Sequence, residues 1–168
     1  METRDRLWCL LETLKYKEYY IDEYNHRASV IETVISLITM ATSLSSIAAW
    51  SIWTEYPGIW SIIIMISQII QLVQPKLPYS RRMTGIRFLL PHLRDLIHDA
   101  ELLWLEFEKS DSPDLKFDKM IVEYRRKCYS LEETYLGEDM LPSIKKLDKN
   151  ASSKTTSYFD RNYGCSAE

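Results

Sequence analysis

Three histidines, His26, His92 and His98, are the side chains best suited to move protons near neutral pH, and none stands in a catalytic or metal-binding pattern. His92 and His98 are six residues apart, which puts them on different sides of a helix. Asp95, His98, Asp99 and Glu101 make a polar patch whose ordinary role is a solvated face or a set of partners for arginines. The chain has no phosphate-binding glycine loop, no GxSxG and no dinucleotide fingerprint. Cys9, Cys128 and Cys165 are odd in number and far apart, which supports neither a disulfide framework nor a zinc site. The expectation is a protein with no enzymatic activity, no cofactor and no bound metal.

Binding chemistry is easier to place. Arg87 and Arg94 are seven residues apart and share one helix face. Repeated around a symmetry axis, they would form a ring of guanidinium groups suited to phosphates, so they are the ligand-binding candidates. Ser36, Thr39, Ser43 and Ser46, together with Thr33, Ser51 and Thr54, fall within an arc of roughly 140° at the 3.6-residue period. Gln68, Gln71 and Gln74 form a second polar stripe. Both stripes occur in otherwise apolar stretches, where such groups line water or pack against another helix. Ser36, Thr39, Ser43, Ser46, Gln68 and Gln71 are therefore the pore-lining or interhelical candidates.

The elements that must hold these residues begin with Val30–Val73. Thr33 to Thr54 contains 22 residues without a formal charge, and Tyr56 to Gln74 adds 19 more. A bilayer core needs roughly 20 helical residues, so the pair reads as a transmembrane hairpin. Trp50, Trp53 and Trp60 surround its short loop as an aromatic belt. Arg27, Lys76, Arg81 and Arg82 flank the other end, which sets both termini in the cytoplasm. Met1–Trp8 is charged and does not resemble a signal peptide.

Around that hairpin the pattern is helical. Leu7, Leu10, Leu11, Leu14 and Ile21 mark one face of a helix over residues 3–28, broadened by Tyr16, Tyr19, Tyr20 and Tyr24. A second helix is expected from Ser80 to Lys109, kinked or split near Pro91. Its inward positions are Met83, Ile86, Leu90, Leu93, Ile97, Ala100 or Leu102, and Trp104 or Leu105. A third covers Asp114–Leu136 and stops at Gly137. Its inward face takes in Leu115, Met120 or Ile121, Tyr124, Cys128, Leu131 and Tyr135.

The reading is an all-α membrane protein with four parts. They are an N-terminal cytoplasmic helix (1–29), a two-helix transmembrane hairpin (30–74), a C-terminal cytoplasmic helical bundle (75–148) and a disordered tail (149–168).

This layout resembles the SLATT-type two-transmembrane effectors of bacterial conflict systems. The resemblance rests on Tyr24-Asn25-His26-Arg27-Ala28 leading into Val30–Trp53, the Glu55-Tyr56-Pro57-Gly58 turn, Ile59–Val73 and the helices from Arg81 onward. It implies a bacterial inner-membrane protein that forms a cyclic homo-oligomer and permeabilises the membrane in anti-phage defence. It further implies control by a nucleotide or oligonucleotide signal from a partner synthase, with membrane lipid as a second partner and no duplex nucleic acid. The family brings no catalytic residues. Two other readings stand beside this ligand-gated channel. One is a non-conducting membrane-anchored adaptor whose cytoplasmic helices recruit a partner, and the other is a soluble helical binding module.

Overall fold

The computed structural model describes residues 3–52, 57–73, 79–110, 115–137 and 141–164. They form five helices: α1 (Thr3–Ile52), α2 (Pro57–Val73), α3 (Tyr79–Lys109), α4 (Leu115–Leu136) and α5 (Lys145–Tyr163). No strand occurs among the described residues. The chain divides into two compact units, one of residues 1–25 with 82–168 and one of residues 26–81.

In the first unit, the spacing of apolar residues by threes and fours becomes a four-helix core. Leu7, Leu10, Leu11, Leu14 and Ile21 of α1 are all at most 3% exposed. They share this core with Ile86, Leu89, Leu93, Ile97 and Ala100 of α3, and with Phe117, Ile121 and Cys128 of α4. Where the sequence left alternatives open, Ala100, Trp104 and Ile121 are buried, whereas Leu102 and Leu105 face outward. α3 runs through Pro91 as one helix, with the proline exposed. Gly137 ends α4 in the left-handed conformation (φ 52°) and donates its N–H to the Glu133 carbonyl at 3.0 Å. A side chain there would be strained, and glycine is not.

The fourth helix corrects the expected tail. Residues 145–163 form α5, which buries Leu147, Ala151, Thr155 and Phe159, one residue per turn. Small residues in the middle let the helix lie close. Trp8 meets Phe159 at 4.8 Å, Trp104 at 5.2 Å and Tyr163 at 5.5 Å, so α5 is clamped at its far end by aromatic packing. Thr155 donates its hydroxyl to the Ala151 carbonyl, one turn back in its own helix, at 2.9 Å. Among the described residues that hydroxyl is engaged within its own helix, so Thr155→Val should change stability by less than about 1 kcal/mol in urea unfolding. A larger loss would show that the hydroxyl, and not the shape, holds α5.

The second unit contains the remainder of α1, α2 and the start of α3. Ala28 and Ser67 are buried. Val30, Val34, Leu37, Ile38 and Met40 are exposed, as are Ile62, Ile64, Met65, Ile66, Ile69 and Leu72. Even so, among the described residues no helix is long and apolar enough to cross a membrane. This overturns the transmembrane hairpin, and with it the membrane fold class, the inner-membrane location with cytoplasmic termini and the membrane-lipid partner. At about 1.5 Å per residue, the 17 residues of α2 fall short of a hydrocarbon core of about 30 Å. Exposed Gln68 and Gln71 lower its apolar character further. In α1 the hydroxyl residues do the same, and those of Thr33 and Thr39 turn back onto the carbonyls of Ser29 and Ile35, both at 2.9 Å. An absence of charge marked these helices, but length and apolarity together decide a membrane span.

Candidate functional site

A cavity in the first unit lies between α1, α4 and the segment that follows α4. On α1, Tyr16 and Tyr20 are one turn apart, as are Lys17 and Ile21, so four neighbouring residues form one wall. On α4, Tyr129, Glu132, Glu133 and Leu136 recur at i, i+3, i+4 and i+7 and form the facing wall. Gly137 turns the chain out of α4, and Leu141 and Ser143 complete the lining. The cavity holds about 600 Å³ and is lined mainly by apolar surface.

Two tyrosine hydroxyls fix the return segment. Tyr20 Oη donates to the Pro142 carbonyl at 2.5 Å and accepts the Ile144 N–H at 3.1 Å. Tyr16 donates to Asp148 in the first turn of α5. Burial, followed by the hydrogen bond to Asp148 and its negative charge, pushes the Tyr16 phenol up to about 12. Both hydroxyls are thus engaged in holding residues 142–148, which leaves the rings as the tyrosines' contribution to the cavity.

The polar contents are few. Lys17 Nζ lies 2.7 Å from Glu132 Oε1, donates to Cys128 Sγ at 3.6 Å and stands 5.0 Å from the centre of the Tyr129 ring. Burial pulls the Lys17 ammonium down, but the hydrogen bond to Glu132 and the negative charge of its surroundings outweigh it and leave it above the usual lysine range. Burial raises the Cys128 thiol against the opposing pull of Lys17, which keeps it protonated and a poor nucleophile. Among the described residues no three His, Cys, Asp or Glu side chains gather as metal ligands.

The residues singled out from sequence lie elsewhere. Arg94 Nε binds Glu18 Oε1 at 2.8 Å, and its Nη2 is 3.9 Å from Asp22, so its charge is committed within the bundle. Arg87 is exposed. Arg82 donates to the Tyr24 hydroxyl at 3.4 Å. Ser36, Gln68 and Gln71 are exposed, and Thr39 bonds within its own helix. Trp53 and Lys76 lie outside the described residues, as do the side chains of Ser43, Ser46, Trp50, Trp60 and Arg81. His98 Nδ1 is 3.5 Å from Glu101, and His92 stacks on Tyr135 at 5.5 Å. The cavity residues were visible in the sequence only as a tyrosine-rich helix face. The repeat of 129, 132, 133 and 136 was the signal that could have located the second wall.

No protein-family model, curated protein or solved structure matches this chain. The resemblance to SLATT-type effectors therefore has no support from relatives, and the absence of a membrane-spanning helix among the described residues removes its physical basis. The channel, the anti-phage role, the cyclic homo-oligomer and the nucleotide signal fall with it. What stands is an all-α chain with a tyrosine-walled cavity in its larger helical unit.

Proposed function

We propose that this protein is a helical binding module without catalysis of its own, and that the cavity between α1 and α4 is its ligand site. The observation that carries this reading is the cavity itself: about 600 Å³, mainly apolar, with a lysine and two glutamates among its lining residues. Binding sites for small molecules and inserted side chains have this size and this mixture, with the apolar wall supplying affinity and a few polar groups fixing orientation. Eight of its lining residues stand on α1 and α4, so two helices hold most of the site, and the segment after α4 closes it with Gly137, Leu141 and Ser143.

The reading is tested with methyl-labelled full-length protein titrated with indole, a neutral aromatic probe. The methyl resonances of Ile21, Leu136 and Leu141 are expected to shift and saturate together. Leu141→Trp, which places a bulky ring at the half-exposed edge, should weaken that response at least tenfold. A response confined to Ile62, Ile64 and Leu72 of the second unit would overturn the assignment, because indole would then be coating exposed apolar surface.

A further inference from the structure

The charges in the cavity are not evenly matched. One lysine faces two glutamates, and the lysine is already paired: Lys17 sits 2.7 Å from Glu132. Glu133, the next residue on the same wall, forms no ion pair among the described residues and is exposed to incoming solute. An anionic ligand would have to detach Lys17 from Glu132 and bring a third negative charge beside the two carboxylates. A cationic ligand would meet an available carboxylate at once.

The aromatic walls favour the same sign of charge. Tyr16 and Tyr20 have their hydroxyls engaged by Asp148 and by the backbone of residues 142 and 144, and their ring centres are 6.1 Å apart. Tyr129 is 65% exposed, and the Lys17 ammonium stands 5.0 Å from its ring centre. Ring faces attract ammonium and guanidinium groups through their quadrupole. Ile21, Leu136 and Leu141 supply the apolar floor and edge for a hydrocarbon body.

We propose that the cavity takes an amphipathic cation, an apolar body carrying a protonated amine, with the amine against Glu133 and the tyrosine rings and the body against Ile21, Leu136 and Leu141. This rests on the reading of the cavity as a ligand site and specifies the chemistry that it selects. The amine is that of a free small molecule or of a lysine side chain presented by a partner, and the two sources share the same contacts.

The test uses the full chain and three probes of similar size: phenethylamine, 2-phenylethanol and 3-phenylpropionate. Calorimetric titration should show the amine binding at least tenfold more tightly than the alcohol, and the carboxylate binding more weakly than either. Glu133→Gln, a change at an exposed position that leaves the core intact, should bring amine and alcohol within about threefold while leaving the alcohol's affinity unchanged. A capped lysine peptide as a fourth probe separates the sources. Tighter binding of the peptide assigns the site to a partner's side chain, and tighter binding of phenethylamine to a free amine. Equal binding of amine and alcohol in the wild type, or an equal loss of both in Glu133→Gln, overturns the amine proposal but keeps the cavity as a site. Failure of all four to bind overturns the proposal together with the site.

Discussion

Gly85→Val is expected to destabilise the first unit by about 3 kcal/mol, at the upper end of the range for overpacking a core. A Cβ built on Gly85 would stand 2.2 Å from the Tyr135 carbonyl oxygen and 3.2 Å from its carbon. Both are backbone atoms in the last turn of α4, so no side-chain rotation relieves the collision, and a helix must move. The opposing effect is known: replacing glycine in a helix interior gains up to about 1 kcal/mol from reduced backbone entropy. At 2.2 Å the overlap outweighs that gain, so Gly85→Ala should also destabilise, by about 1 to 2 kcal/mol. Gly58 provides the control, since nothing lies within 4 Å of a Cβ there and Gly58→Ala should be neutral or slightly stabilising. Urea unfolding of the three variants decides the matter. If Gly85→Ala proves as stable as the wild type, the close approach of α3 to α4 is wrong.

The same contact links packing to the site. Tyr135 and Leu136 form the end of α4, and Leu136 and Gly137 line the cavity. Pushing the Tyr135 carbonyl away from α3 displaces that wall. Weaker indole binding in Gly85→Ala than in Gly58→Ala is therefore the expected companion result.

How much of this was legible depended on whether the information was local. The buried faces of α1 and α3 followed from the three-and-four spacing of Leu7 to Ile21 and of Met83 to Ile97, and the end of α4 followed from Gly137. α5 was not legible because two of its four buried residues are Ala151 and Thr155, and a stripe of that kind in a Ser-, Lys- and Asn-rich stretch has little apolar contrast. The hairpin was misread because runs without charge were counted as spans. The cavity was hidden for a third reason. Its walls come from residues more than 100 positions apart in sequence, as the Lys17–Cys128 and Tyr20–Pro142 bonds show, and periodicity says which residues share a face but not which faces meet. Arg94 illustrates the same point. Its spacing from Arg87 suggested a phosphate-binding face, but its charge is taken up by a carboxylate on another helix.

That carboxylate gives the second large effect. Glu18 is 8% exposed, with Lys15 Nζ 2.9 Å from one oxygen and Arg94 Nε 2.8 Å from the other. Burial pulls the carboxyl upward, but hydrogen bonds and positive charge from Lys15 and Arg94 outweigh it and leave it below its ordinary 4.5. Asp22, 3.9 Å from Arg94, is the other acid facing the pair. Removing one partner of a buried pair typically costs about 3 to 5 kcal/mol because the remaining charge stays desolvated. Lys15 remains in place and Arg94 is about half exposed to screening water, which lowers the expected cost of Arg94→Leu to about 2 kcal/mol at pH 7. The sign of the pH dependence follows from the lowered value. The stabilisation from Glu18 is fully present above the ordinary glutamate range and is lost as pH falls through the depressed folded value. Arg94→Leu moves the folded value back up, so the gap between wild type and variant should be widest near neutrality and close as the solution is acidified. Glu18→Gln keeps the shape and removes the charge, and should flatten the acid limb in the same way. Wild-type and Arg94→Leu stability curves that run parallel from pH 7 to pH 3 would show that the arginine contributes packing alone.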